Sequence, residues 1–416
     1  MPRVLLLLPT RSYRTPDFLE AAERVGAEVT VASEEASAVE AVNPAGLLTL
    51  DFRDPAASAR RVEEFARKHP VQAVVGVDDD TSVLAAILAR DLGLPANPVH
   101  AVAAARHKPT MRGLLAEAAV PSPAYKVFDR ERDSAEAASK QVRYPCVLKP
   151  TFLAASRGVI RADDRGGFAR AWERIERILG EPEVAGRGGE AASEILVEDF
   201  VPGFEVALEG LLREGELKVL ALFDKPDPLE GPFFEETIYV TPSRLPAEVQ
   251  DRVAQVAAHG ALALGLRDGP VHAELRVNES GAWLIEIAAR SIGGLCSRTL
   301  RFGMGMSLEE ILLRHALRME MPEPEREKRA AGVLMIPIPR GGMLEGVRGL
   351  EEARSVPGIE DVTISIRLGQ RVVPLPEGSR YLGFVFSRAE TPQRAESALR
   401  QAHSRLRFEI SGAPES

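Results

Sequence analysis

The segment VHAELRVNESGAWLIEIAARSIGG, residues 271–294, constrains the fold of this chain more than any other stretch. Residues 271–278 and 282–290 both have strand character, and Glu279-Ser280-Gly281 between them fits a three-residue hairpin loop with glycine at the left-handed position. Pairing Asn278 with Ala282 then sets Glu274 opposite Glu286 and His272 opposite Ala288. Two carboxylates about 5 Å apart, at an effective dielectric of about 20, repel by roughly 3 kcal/mol, so a cation belongs between them. Arg276 and Arg290 are local candidates, on a face that is simply solvated. Against that reading, Ala273, Leu275, Val277, Trp283, Ile285 and Ile287 make the other face apolar, as in a covered sheet. Oxygen ligands without His or Cys suit Mg²⁺ or Mn²⁺, and Mg²⁺ commonly combines one or two carboxylates with substrate phosphates. The hairpin therefore predicts a nucleotide site elsewhere along the chain.

At 416 residues the chain exceeds one compact core, and two or three domains are expected. A net charge of -9 argues against a nucleic-acid surface, while leaving room for a local anion pocket. Cys146 and Cys296 are the only cysteines and form no ligand-spaced pair, so neither a disulfide framework nor a zinc site is indicated. The apolar run 4–8 ends at Pro9, too short for a signal-peptide core, and no run approaches membrane-spanning length. The expectation is a cytoplasmic protein without a membrane or nucleic-acid partner. Only eight of the 52 basic residues are lysine. A lysine here carries weight, because it supplies a point charge that the guanidinium fork does not mimic.

Strands at 4–8, 28–32 and 72–77 alternate with helices at 15–25, 56–68 and 82–92, which predicts an N-terminal doubly wound parallel α/β domain. Its first turn, PTRSYRT, lacks G-x-G-x-x-G, and no G-x-x-x-x-G-K-[ST] occurs in the chain. Asp78-Asp79-Asp80 follows a parallel strand, where open α/β sheets bind ligands, although Asp80 or Thr81 as a helix N-cap is the favoured reading. Asn97-Pro98 and a helix at 99–106 mark a change of domain, and the proline-rich MPEPEREK at 321–328 reads as a linker. Strands at 331–337, 362–368 and 382–386 and a helix at 391–405 capped by Thr391 then predict a small C-terminal α+β domain. The expected domains are 1–100, 101–320 and 330–416.

The middle portion carries the chemistry. Lys149 ends the apolar run 145–148, and the loop TFLAASRGV after it, with Ser156 and Gly158, can lay backbone N–H groups over phosphate oxygens. Taken alone that loop is a plain hairpin turn. Lys108 stands beside the N-terminus of a helix at 110–118, a natural anion site. Two of the eight lysines thus stand where a triphosphate needs them. Between strands at 194–197 and 205–212, the connection at Glu198, Asp199, Phe200 and Val201 offers backbone groups to an adenine edge, and Glu205 can accept from ribose hydroxyls. The plainer alternative is a strand-loop-strand corner with solvated acids.

Read in order, Lys108, Lys149, the loop with Gly158, Glu198-x-x-Val201, Glu205, Glu274, Glu286 and Arg290 resemble the pattern of the ATP-grasp superfamily. Within it, the segment EIAARSIGG and the C-terminal domain resemble L-amino-acid ligases and related carboxylate-amine ligases more than biotin-dependent carboxylases. The resemblance implies a two-subdomain fold holding ATP. Lys108, Lys149, Ser156 and Gly158 would meet phosphates, Glu198 to Val201 adenine and Glu205 ribose. Glu274 and Glu286 would bind Mg²⁺ or Mn²⁺, and Arg290 the acyl phosphate.

Lys225 in LFDKPDP would lie near the transferred phosphoryl group and Glu235 or Glu236 near a substrate amine, unless all three belong to a solvated loop. His272, with Gly293 and Gly294, would touch the acyl substrate, or His272 is structural. One departure stands out: many members carry asparagine where this chain has Ala288, which removes a third metal ligand. The expected activity is an ATP-dependent ligation of a small carboxylate to a small amine through an acyl phosphate, on amino acids, in a homodimer. The alternatives are a ligase or carboxylase using another carboxylate or bicarbonate, as in purine biosynthesis, and a non-catalytic nucleotide-binding protein. Positioning and charge neutralisation suffice for such phosphoryl transfer, which accounts for the missing Ser-His or Cys-His constellation.

Overall fold

Residues 1–10, 12–35, 40, 42–303 and 305–412 are described in the computed structural model, and three larger sheets carry the fold. The first is all parallel, in the order Leu47–Thr49, Glu28–Ser33, Arg3–Leu7, Ala73–Gly76. Alternate side chains of its central strand go to opposite faces. Val4 and Leu6 pack on Phe18 and Ala21 of helix Thr15–Val25, while Leu5 and Leu7 meet Val62 and Phe65 of helix Pro55–Lys68 and Leu84 of helix Asp79–Asp91. This is the doubly wound domain the alternation predicts, with one short strand, Leu47–Thr49, that it does not. The cap of the third helix is Asp78, not Asp80 or Thr81: Asp78 N–H donates to Thr81 Oγ1 at 3.2 Å, and that hydroxyl donates back to the Asp78 carbonyl at 2.9 Å. Asp79 and Asp80 are thereby left for other partners.

The second sheet is antiparallel, in the order Tyr125–Asp129, Glu194–Asp199, Cys146–Pro150, Ile160–Ala162. Cys146, Leu148, Ile195 and Val197 bury one face against Phe168, Trp172 and Ile175 of helix Arg165–Leu179. The period of two leaves Val147, Lys149 and Glu198 on the other face.

The third sheet has eight strands, in the order Gly281–Ala288, Gly269–Asn278, Phe204–Arg213, Glu216–Asp224, Ile238–Thr241, Ala330–Ile336, Gly383–Ala389, Ile359–Ile364. It runs without a break across the junction expected at 320–330, because Ile238–Thr241 pairs with Ala330–Ile336. Val206, Leu208, Ala273 and Leu275 pack against Val253, Ala257 and Ala261 of helix Ala247–Leu264. The strand expected at 362–368 lies earlier, at Ile359–Ile364, and helix Pro392–Arg405 is capped by Thr391 as predicted, Oγ1 accepting from Arg394 N–H at 3.3 Å. The last four residues of that expected domain lie outside the described residues. No helix among the described residues is long and apolar enough to cross a membrane.

Candidate active site

A cavity of about 440 Å³ lies between the second and third sheets and the carboxyl end of the first. The hairpin places Glu274 opposite Glu286 and His272 opposite Ala288, as predicted, but by a different route. Asn278 pairs with Gly281 across a two-residue turn, and the expected three-residue loop is absent. A bulge between Glu274 and Leu275 in the register makes up the difference, leaving Ile285 without a partner. Its carbonyl is satisfied instead by Arg112, whose Nη2 donates to it from helix Lys108–Glu117. The bulge also reverses the alternation beyond it. Ala282 and Leu284 join the buried face with Ala273, Leu275 and Ile287, whereas Ile285, expected there, lines the cavity. Trp283, also expected in that core, pairs across the strands with Arg276 instead.

On the third sheet, Glu205 and Glu209 alternate along one strand opposite Arg276 and His272 on the next. These opposite charges form direct cross-strand pairs. Arg276 Nε donates to Glu205 at 2.9 Å, and its Nη1 donates to the Val201 carbonyl at 2.9 Å. The other Glu205 oxygen accepts from Lys225 Nζ at 2.9 Å, and the same ammonium pairs with Glu236 and stands 3.4 Å from Glu274. Lys225 is therefore buried behind the carboxylates and not on a solvated loop. Burial opposes its charge, but Glu205, Glu236 and Glu274 outweigh that and hold it above the usual lysine range. Glu236 lines the cavity, supported by the Tyr239 hydroxyl at 2.7 Å; Glu235 does not.

His272 stands between two carboxylates, with Nδ1 3.2 Å from Glu209 and Nε2 3.6 Å from Glu274. Burial lowers its pKa, yet the bonds to Glu209 and Glu274 raise it to about 9. Burial pushes Glu209 up, against the pull of His272 and the Ile292 N–H. Glu274, despite burial, is held below the usual carboxylate range by Lys225 and His272.

The facing bank is the second sheet. Glu198 is fully buried, receiving Arg112 Nε at 2.7 Å and pairing with Lys149 Nζ at 2.6 Å. Burial works against its ionisation, and Arg112 and Lys149 outweigh it, holding the carboxyl at about 2. The strand extends to Asp199, so Glu198 belongs to it and not to a connection. Lys108 is the first residue of its helix; its Nζ donates to the Leu153 carbonyl at 2.9 Å and stands 3.5 Å from Glu286. Ala155, Ser156 and Gly158 all have left-handed backbone, which curls the loop over the cavity. A Cβ at Gly158 would lie 2.7 Å from Pro150, so the glycine is required there. Ser156 lines the cavity with Phe200 and Val201, while Gly158 lies behind it and donates its N–H to the Pro376 carbonyl at 2.9 Å.

The parallel sheet closes the third side. Asp79 pairs with Arg290 Nη2 at 2.8 Å, and Asp80 with Arg106 at 2.6 Å. Asp79, although buried, is held below the usual range by Arg290 and Arg106, and burial's pull on Arg290 is outweighed in turn by Asp79. Arg14 is buried and donates to Ser291 Oγ at 2.9 Å and to Glu309 at 2.9 Å, and so fixes the start of the loop that carries Gly293 and Gly294 into the cavity wall.

Arg276 is taken up by Glu205; Glu274 is held by Lys225 and His272, and Glu286, one-third exposed, stands 3.5 Å from Lys108 and also feels the charge of Arg290. The pair offers hard oxygen donors of the kind Mg²⁺ or Mn²⁺ takes. Glu205, Glu236 and Glu274 also bring one oxygen each within 4.8 Å of one another, but the Lys225 ammonium sits among them. Glu286 is not among the three carboxylates that Lys225 serves, which leaves Glu274 with Glu286 as the candidate cation site. Sequence reasoning missed Arg112, Glu209 and Arg14, and reached Asp79 only as part of the acidic run 78–80, for which the helix-cap reading was favoured. Of the three missed residues only Glu209 had a signal, as the residue sharing a strand face with Glu205.

The ATP-grasp domain family matches residues 142–299, the ATP-grasp N-terminal domain residues 19–96, and the L-amino acid ligase C-terminal domain 2 residues 334–411. A crystal structure of an L-amino acid ligase from Bacillus licheniformis superposes with a TM-score of 0.84 at 26% identity, covering 99% of each chain. Carnosine synthase 1 of Gallus gallus is 29% identical over 70% of this chain and 33% of its own length. Alanine–anticapsin ligase of Bacillus subtilis is 28% identical over 61% of this chain and 56% of its own length. The chain spans less than two thirds of either relative.

Proposed function

We propose, from the premise that this chain belongs to the ATP-grasp superfamily, that it is an ATP-dependent carboxylate–amine ligase acting on amino-acid substrates. A substrate carboxylate takes the γ-phosphoryl group of ATP, giving an acyl phosphate and ADP; an amine then displaces phosphate and leaves an amide. The observation that carries this reading is the convergence of Lys108, Lys149, Glu274, Glu286 and Arg290 on one cavity.

In this reading Lys108, Lys149 and the backbone of residues 154–156 hold the phosphates, with Gly158 setting the loop's curl. The backbone of residues 198–201 meets the adenine edge beside Val147 and Ile285, and the remaining Glu205 lone pairs face the ribose. Glu274 and Glu286 would hold Mg²⁺ or Mn²⁺, which when bound neutralises phosphate charge. Arg290, clamped by Asp79, offsets the charge that develops on the transferred group. Glu236 accepts the substrate ammonium, and His272, Gly293 and Gly294 border the acyl group. Lys225 acts from behind, fixing Glu205, Glu236 and Glu274. The assignment extends to domains at 1–100, 101–320 and 330–416, a cytoplasmic location and a homodimer. The test is phosphate release by the purified chain with ATP, Mg²⁺ and a panel of amino-acid pairs, with product mass equal to two amino acids minus water. No release above background across the panel would sink the reading.

A further inference from the structure

Glu209 is the one carboxylate of the ladder that the proposed chemistry leaves unused. It is fully buried and does not line the cavity. Oε2 receives two donors from different parts of the site: the Ile292 N–H at 2.9 Å, and His272 Nδ1 at 3.2 Å. Oε1 is buried with no hydrogen-bond partner among the described residues. A carboxylate out of water with one bare oxygen is a costly group, and it is tolerable only where its other contacts are strong. Those contacts reach two features at once. His272 Nε2 faces Glu274 Oε1 at 3.6 Å, and Ile292 begins the Ile292-Gly293-Gly294 wall. The side of that wall nearer Arg290 is held independently, by Arg14 on Ser291 Oγ and by Arg290 Nη1 on the Ser291 carbonyl at 3.0 Å.

We propose that Glu209 is a positioning residue that couples the metal-binding carboxylate Glu274, through His272, to the glycine wall that borders the amino-acid substrate. This rests on the ligase reading above. A single oxygen shared by the two donors fixes the ring and the loop relative to each other, as supporting partners do for metal ligands elsewhere. Glutamine at 209 keeps an acceptor oxygen in the same place, whereas methionine keeps the volume and removes both contacts.

The test measures Mn²⁺ binding to the ADP-loaded protein by electron paramagnetic resonance, and the amino-acid KM, in wild type, E209M and E209Q. For E209M both the Mn²⁺ midpoint and the amino-acid KM should rise together by about 10–100-fold, with metal-free ADP affinity unchanged. E209Q should recover most of the loss. If E209M does not fold, Glu209→Asp, which withdraws the carboxylate by one methylene, should raise the same two quantities. A variant that lowers thermal stability while leaving both unchanged, or that shifts only one of them, overturns the proposal. A wild-type protein that binds no Mn²⁺ with ADP overturns the ligase reading, and this proposal with it.

Discussion

The second and third sheets face the same cavity, and each puts hydrocarbon on one face and charge on the other. On the second the charge is a closed triad, with Glu198 between Arg112 and Lys149. On the third it is a chain: Arg276, Glu205, Lys225, Glu274, His272 and Glu209 are linked in sequence, and Glu236 branches from Lys225. A triad with two cations on one carboxylate survives the loss of either cation. In the chain one ammonium serves three carboxylates, and although Glu205 keeps Arg276 and Glu274 keeps His272, Glu236 has no second ion pair among the described residues.

The largest expected effect follows from that difference. Lys225→Met leaves Glu205, Glu236 and Glu274 without their shared cation, and breaking a buried pair in this way costs about 3–5 kcal/mol. Lys149→Met leaves Glu198 with Arg112 and should cost about 1.5–3 kcal/mol. Urea unfolding of the two variants measures both losses, and equal losses would break the comparison. Next comes Arg290, which joins the third sheet to the N-terminal domain through Asp79. Arg290→Ala should lower kcat by about 10²–10³-fold with the chain still folded, and Asp79→Asn by less, since the cation stays. Steady-state kinetics on an amino-acid pair decides the order, and a reversed order would place the function of the pair in Asp79.

A smaller effect is expected in acid. Glu198 is held at about 2 against an ordinary value of 4.5. Its folded pKa is depressed, so its stabilisation is complete above about pH 4.5 and is lost as pH falls through about 2. Glu198→Gln should flatten that part of the stability curve, and an unchanged slope between pH 4.5 and 2 would contradict the triad. The smallest effect is a non-event. Cys146 in the second sheet and Cys296 beside the third are both pushed up by burial to about 12. At pH 8 both thiols should alkylate about a thousandfold more slowly than a free cysteine, and rapid labelling of Cys296 alone would show the third-sheet side to be the more open.

Much of this architecture was legible. The period-two pattern named the hairpin partners, the strand–helix alternation named the N-terminal domain, and the scarcity of lysine singled out Lys108 and Lys149 among many arginines. The hairpin also shows the limit of such reading. A two-residue turn and a bulge at Ile285 offset each other, so the Glu274–Glu286 pairing was right while the loop and the side assigned to Ile285 were wrong. The bulge answers to Arg112, far away in sequence, and no local pattern carries that. Arg14 escaped for the same reason, and the acidic run at Asp79 was read first as a cap, because their partners, Glu309 and Arg290, come from distant segments. Glu209 shares a strand face with Glu205, but its meaning depends on facing His272, which the strand order alone supplies.

The account's central claim is acyl-phosphate formation in the cavity between these sheets. Its most direct test uses an amino-acid substrate labelled with ¹⁸O in its carboxylate, turned over with ATP and a second amino acid, with the released phosphate read by mass spectrometry. The prediction is one ¹⁸O in the phosphate for each amide formed. Amide formation with unlabelled phosphate would contradict it.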